Sequence, residues 1–143
     1  MLICGLGSLG QACLLRLLPF DVPLRCLDRE RPDWRDPRLE DRFGDALVLG
    51  DMRLPHVLSQ AGVETARAVL LLSTESTVNV EAALQVRLLN PSADLVVRSS
   101  GQLASLGALL EERLPGVAVV DPLLLTAGAV TEALRPGDQE ACF

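Results

Sequence analysis

The sequence predicts an α/β fold, a Rossmann-like, doubly wound sheet of six parallel strands in the order 3-2-1-4-5-6. Short apolar runs alternate with segments of helical periodicity along the 143 residues. The first apolar run leads into the turn Gly5-Leu6-Gly7-Ser8-Leu9-Gly10, and the second ends at an acid, Asp28. Right-handed crossovers then fix the strand order and place a ligand over the carboxyl ends at the switch point.

Each element follows from its own local pattern. The first helix repeats apolar residues at helical spacing, and a short later helix has Pro55 in its first turn and Gly62 just past its end. Ser76 is placed to cap the helix that it opens. Strands are predicted at residues 2–4, 24–27, 46–49, 68–72, 95–97 and 117–120, and helices at 8–18, near 36–42, after residue 55, and at 76–89, 102–114 and 121–134.

The amino-acid composition limits the classes of protein to which this chain can belong. An apolar fraction of 49% with one Trp and three Phe indicates a core of Leu, Val and Ala, as in parallel strands covered on both faces. We expect one domain spanning residues 1–143. A net charge of −6, with arginines scattered among acids, disfavours a nucleic-acid partner. No apolar stretch is long enough for a membrane span, so we expect a cytoplasmic chain without direct membrane insertion.

The inventory of reactive side chains is short. All 13 basic residues are arginines, tyrosine is absent, and His56 is the only histidine. A phosphate-binding lysine loop, a Schiff-base lysine and a tyrosine–lysine reductase pair are therefore excluded. The four cysteines lack metal-binding spacing. We expect Cys4, Cys13 and Cys26 to be buried thiols, with a disulfide between Cys4 and Cys26 as a lesser alternative.

The glycine turn predicts a phosphate site. Gly5 permits the tight turn, Gly7 allows close approach of a pyrophosphate, and Gly10 lets the helix pack on the strand. The free N–H groups of the first helical turn, near Ser8 to Gln11, would face the anion. The alternative is a glycine-rich turn that binds nothing.

Acidic residues follow the second and third strands. Asp28 is placed to accept hydrogen bonds from both ribose hydroxyls, which would disfavour a 2′-phosphate and hence NADP. Its alternative is a surface aspartate that ends a strand. Arg29 either lies over the adenine or is solvated. Asp51, followed by Met52, either accepts from an adenine amino group or caps the next helix.

Polar residues also follow the fourth and fifth strands. Ser73, Thr74 and Glu75 would lie near the phosphates or a second ribose, and Asn79 could reach the same place. Arg98 is a candidate cation for this side of the crevice. Its alternative is an ion pair with a surface acid.

These motifs together resemble the regulator-of-potassium-conductance family, whose RCK domains are also called KTN or TrkA-N. The resemblance extends from Leu2 to about Leu134. The segments that carry it are Ile3 to Gly10, Leu27-Asp28-Arg29, Leu49-Gly50-Asp51, Ala61-Gly62-Val63 to Val69, Thr74-Glu75 with Asn79, and Leu89-Asn90-Pro91 to Val97-Arg98.

The resemblance implies a domain that binds NAD(H), ATP, ADP or AMP and regulates a potassium channel or transporter membrane subunit, at the inner face of the membrane. It implies that the three glycines hold phosphates, Asp28 the ribose and Asp51 the adenine, with residues 74–79 on the phosphate side. Many members have an arginine where this chain has Ser8. That departure favours a smaller or more weakly held ligand.

The last predicted helix has little polar face, which indicates a partner. The resemblance implies that it crosses to a second subunit, so we expect a homodimer, or a higher ring, formed through residues 122–134. No carboxyl-terminal ligand domain is expected after it. A non-catalytic regulator is therefore the leading interpretation. A small NAD-dependent oxidoreductase, for which His56 would be the only ordinary acid–base group, and a scaffold subunit with a decayed site are the alternatives.

Overall fold

Six parallel strands form one sheet in the computed structural model, in the order β3-β2-β1-β4-β5-β6. This confirms the predicted fold class. The structure describes residues 1–100 and 104–122. The strands are β1 (Leu2–Cys4), β2 (Arg25–Asp28), β3 (Val48–Leu49), β4 (Ala68–Leu71), β5 (Asp94–Arg98) and β6 (Val117–Val120).

Helices connect the strands and cover both faces of the sheet. They are α1 (Ser8–Leu17), α2 (Pro37–Phe43), α3 (Pro55–Gln60), α4 (Ser76–Leu89) and α5 (Ala104–Arg113), with short 3-10 turns at Leu18–Phe20 and Val63–Thr65. Helices α1 and α2 pack on one face, while α3 and α4 pack on the other. The topological switch point lies between the neighbouring strands β1 and β4. Strands β2 and β3 are added on one side of β1, and strands β4 to β6 are added on the other side.

The central strands explain why their sequence does not alternate between apolar and polar residues. Leu2 and Cys4 point into the layer that contains α3 and α4, and Ile3 points into the layer that contains α1 and α2. All three are at most 1% exposed. A parallel strand with helices on both faces must be apolar at every position. The glycine turn after β1 is thus anchored on the most buried part of the sheet.

Two local expectations require correction. Ser76 does not cap α4: Glu75 is the N-cap residue, and the Ser76 hydroxyl accepts a hydrogen bond from the Ser100 N–H at 3.1 Å. Strand β3 begins at Val48 rather than at residue 46, because the turn after α2 continues to Ala46, whose N–H bonds the Phe43 carbonyl. The first difference arises from a pairing between residues 24 positions apart and the second from a local turn, and periodicity encodes neither.

The cysteines are buried thiols. Cys4, Cys13 and Cys26 are free, and burial raises the pKa of both Cys13 and Cys26 to about 12. The lesser alternative, a disulfide between Cys4 and Cys26, is wrong because these side chains enter opposite layers of the sheet. Thiols in such surroundings are poor nucleophiles.

Some expectations cannot be placed in the structure. The terminal helix, predicted at residues 121–134, falls outside the described residues beyond position 122. Within residues 1–100 and 104–122, none of the helices has the length and apolar character that crossing a bilayer requires.

Candidate nucleotide site

The turn between β1 and α1 places three glycines in different surroundings. Gly5 has a positive φ of 95°, and a Cβ there would lie 2.7 Å from the Ser73 nitrogen. A Cβ on Gly10 would lie 2.0 Å from the Gly5 carbonyl oxygen. A Cβ on Gly7 would meet no protein atom within 4 Å. Gly5 and Gly10 are therefore required by the backbone itself, whereas Gly7 faces open space.

Helix α1 begins with unpartnered backbone donors. Gly7 is its N-cap residue and supplies no side-chain cap, and the first turn contains no acidic residue. The first N–H groups of a helix have no partner within that helix, so those near Ser8 and Leu9 are available to an anion. The expectation that the free donors extend to Gln11 is wrong, because the Gln11 N–H bonds the Gly7 carbonyl at 3.0 Å. Ser8, Leu9 and Gly10, which the sequence also predicts at the site, do not line the neighbouring pocket.

Asp28 ends β2 and is held by backbone donors. Its Oδ2 accepts the Leu6 N–H at 2.8 Å, and its Oδ1 accepts the Arg29 N–H at 2.6 Å. Each carboxylate oxygen can accept a second hydrogen bond, so the group retains acceptor capacity toward a ligand. Asp28 is thus fixed against the glycine turn while still facing the pocket.

Asp51 follows β3 and is engaged by Arg53. Its carboxylate accepts the Arg53 backbone N–H at 2.9 Å and the guanidinium Nε and Nη2 at 3.0 and 2.7 Å. The side-chain hydrogen bonds from Arg53, more than any other effect, lower the pKa of Asp51 to about 2. Asp51 does not cap α3, whose N-cap residue is Leu54. That expected alternative is wrong.

Asn79 and Arg98 do not line the pocket, contrary to expectation. Asn79 is fully buried: its Oδ1 accepts the Ser73 N–H at 3.0 Å, and its Nδ2 donates to the carbonyls of Ser73 and Arg98 at 2.8 and 2.9 Å. The Arg98 guanidinium reaches back to the Leu72 carbonyl at 3.5 Å. Asn79 therefore joins the ends of β4 and β5 and fixes the backbone of Ser73, which does line the pocket.

One pocket of about 250 Å³ lies over the carboxyl ends of the strands at the switch point. It brings together residues from the ends of four strands and opens to solvent. Three carboxylates and two guanidiniums are among its lining groups. The expected site residues that line it are Gly5, Gly7, Asp28, Arg29, Asp51, Met52, Ser73, Thr74 and Glu75.

Sequence reasoning missed part of this lining. Apolar contacts come from Leu6, Leu72 and Val78, and a second cation comes from Arg53. The spacing Asp51-x-Arg53 was an available signal, because the same spacing at Asp36-x-Arg38 forms the same kind of pair. In the described part of the chain, no group of three or more His, Cys, Asp or Glu is placed to hold a metal ion.

The fold and the pocket define a Rossmann-like domain with a cleft at the topological switch point, the position where such sheets bind ligands. Residues 1–113 match the family described as the TrkA-N domain, and the chain belongs to that family. No curated protein sequence matches the chain.

Solved structures share this fold. The TrkA-N domain of the inner membrane protein ybaL from Escherichia coli is 26% identical, with a TM-score of 0.72 and coverage of 93% of this chain and 94% of that one. The GsuK RCK domain is 24% identical, with a TM-score of 0.69, and the match covers 96% of this chain and 28% of that one. The Kef CTD of Shewanella denitrificans, in its AMP-bound form, is 16% identical with a TM-score of 0.66, and the match covers 98% and 90%. The last two likenesses show the fold alone. GsuK structures bound to ADP and to NAD match as well.

Proposed function

We propose that this chain is a nucleotide-sensing regulatory domain. It binds NAD(H) or an adenine nucleotide (ATP, ADP or AMP) in the pocket at the switch point and transmits occupancy to a potassium channel or transporter subunit. Coupling of this kind typically amounts to about 1–3 kcal/mol between ligand and partner.

The observation that carries the proposal is the open space at Gly7. A glycine that neither a positive φ nor a neighbouring protein atom requires is explained by an occupant from outside the chain. The residue lies at the uncapped amino end of α1, where backbone donors and the helix dipole favour phosphate. Asp28, fixed beside the same turn, is placed for ribose hydroxyls.

The relatives support the ligand class. GsuK structures hold ADP or NAD, and the Kef structure holds AMP, in chains that share this fold. We carry over the class, a nucleotide with an adenosine moiety, to this chain. Asp28 disfavours a 2′-phosphate, so the proposal excludes NADP as the preferred ligand.

The proposal assigns no catalytic step. The described lining of the pocket contains no histidine, cysteine, lysine or tyrosine to move a proton beside a nicotinamide. His56 is exposed on α3 and does not line the pocket. A regulatory domain needs only a ligand whose affinity differs between two conformations of the protein.

The rest of the proposal concerns the assembly. A homodimer or ring, joined through residues 122–134, would carry the signal from the pocket to the membrane subunit. The chain itself would be cytoplasmic and reach the membrane through that partner. A mass of about 15.3 kDa in light scattering at micromolar concentration would contradict the dimer.

The test is a thermal-shift and calorimetry screen of the full chain with NAD, NADH, NADP, ATP, ADP and AMP. A ligand at one hundred times its dissociation constant stabilises the folded state by about 2.7 kcal/mol. We expect at least one of the non-NADP ligands to do so. The proposal would be contradicted if none of these nucleotides binds or if NADP binds most tightly. Turnover of a bound nucleotide would contradict it as well.

A variant pair makes the test specific to the pocket. Gly7→Val puts a branched side chain into the open space and should abolish binding. Gln60→Val adds the same side chain at an exposed position of α3 outside the pocket and should leave binding unchanged. Equal affinity in the two variants would refute the assignment of the pocket.

A further inference from the structure

Arg53 occupies an unusual place at the mouth of the pocket. It lies on the segment after β3, lines the pocket, and is only 36% exposed. Its Nε and Nη2 are paired with Asp51, and its Nη1 is 3.7 Å from the Glu81 carboxylate on α4. The side chain therefore reaches from the β3 side of the pocket to α4.

This pairing changes what Asp51 offers to a ligand. Three N–H groups of Arg53 occupy both oxygens of the Asp51 carboxylate. A free carboxylate at this position would accept from the 6-amino group of adenine and repel the 6-oxo group of guanine. Because both of its oxygens already accept hydrogen bonds from Arg53, Asp51 no longer discriminates between adenine and guanine.

The guanidinium presents a different surface to a base. Pairing with Asp51 fixes the plane of the Arg53 side chain at the pocket wall, which the buried residue Met52 also lines. A guanidinium plane stacks on any base, because every base has an aromatic face. Such a contact adds affinity without choosing between purines.

We infer that Arg53 is a specificity-determining residue: by occupying Asp51, it makes the base subsite tolerant of both adenine and guanine. This rests on the proposed function, because it assumes that the pocket holds a nucleotide. The wild-type chain binds AMP and GMP with affinities within about threefold of each other, a difference of less than one full hydrogen bond.

The test compares AMP and GMP by calorimetry on the full chain. Arg53→Met keeps an unbranched, flexible side chain but removes the guanidinium that pairs with Asp51, and it raises the preference for AMP over GMP by about tenfold. Arg53→Gln serves as a second variant and shifts the ratio in the same direction. The ratio, rather than either affinity alone, is the readout, because a purely structural role would change both affinities together.

The chain supplies a matched control in Arg38. This residue pairs with Asp36 through its backbone N–H, Nε and Nη2, as Arg53 does with Asp51, but neither residue lines the pocket. Arg38→Met leaves the ratio of AMP to GMP unchanged. An unchanged ratio in both Arg53 variants, or an equal shift in Arg38→Met, overturns the inference and leaves the proposed function standing. If the wild-type chain binds neither nucleotide in this assay and none in the wider screen, the proposed function fails and the inference fails with it.

Discussion

Replacing Gly10 by alanine should destabilise the fold, whereas the same change at Gly7 should not. The new Cβ at position 10 would lie 2.0 Å from the Gly5 carbonyl oxygen, where an ordinary carbon–oxygen contact is about 3.3 Å or more. Helix α1 and the β1 turn must separate by more than about 1 Å to relieve the overlap. Overpacking of this kind costs about 3 kcal/mol, at the upper end of the usual range.

Part of that cost is offset by helix propensity. Alanine is more favourable than glycine inside a helix by about 1 kcal/mol, so the net loss is about 2 kcal/mol. For a chain of this size the melting temperature would fall by roughly 4–8 °C. At Gly7, with φ at −73° and no protein atom within 4 Å of the new Cβ, the loss should stay below about 1 kcal/mol.

Thermal melts followed by circular dichroism, together with urea denaturation analysed by linear extrapolation, measure both changes. Wild-type protein and the two variants are compared without added nucleotide, since a bound ligand would contribute its own stabilisation. A Gly10→Ala variant that melts within about 2 °C of wild type, or loses no more stability than Gly7→Ala, would refute the packing argument.

Three further outcomes are expected. Asn79→Ala leaves the half-buried Ser73 N–H and two carbonyls without their Asn79 partner and should reduce the free energy of unfolding by about 3 kcal/mol in urea titrations. Asp28→Ala removes the acceptor for the Leu6 N–H and for the ribose, and should weaken nucleotide binding about tenfold or more in calorimetry. Because Arg53 lowers the pKa of Asp51 below its unfolded value, the pair stabilises the fold above about pH 4 and ceases to do so toward pH 2.

Each of these outcomes has a comparison that can contradict it. Full wild-type stability in Asn79→Ala would mean that other groups or water satisfy the exposed partners. An unchanged dissociation constant in Asp28→Ala would mean that the carboxylate serves only the backbone. For Asp51, the stability difference between wild type and Asp51→Asn should narrow between pH 5 and pH 2.5. A constant difference would contradict the assigned pairing.

The sheet order and the position of the pocket could be predicted because they depend on local patterns. Gly5 and Gly10 mark a tight turn by the absence of a side chain, and Asp28 marks the end of a strand by the first polar residue after an apolar run. These local signals depend little on tertiary contacts with residues that are distant in sequence. Right-handed crossovers limit the possible strand orders to a few, and the glycine turn after the first strand favours the order that is observed.

The directions of polar side chains could not be predicted in the same way. Asn79 lies one turn into α4, and nothing in its sequence neighbourhood indicates that its amide turns toward the ends of β4 and β5 rather than toward a ligand. Arg98 likewise turns toward the Leu72 carbonyl. The pair of Arg53 with Asp51 had a local signal in its spacing, whereas the second contact of Arg53, with Glu81, joins residues distant in sequence and had none. Such choices depend on tertiary neighbours.

The amide of Asn79 has a mechanical consequence. Because it bonds Ser73 and Arg98 at once, the amino end of α4 and the ends of β4 and β5 behave as a single stiff block. A displacement of one of these elements must carry the other two with it or break the hydrogen bonds of the buried Asn79 amide. The loop that follows β3 also reaches α4, through a 3.7 Å ion pair between the partly exposed side chains of Arg53 and Glu81, and an exposed pair of this kind holds its two elements far less firmly.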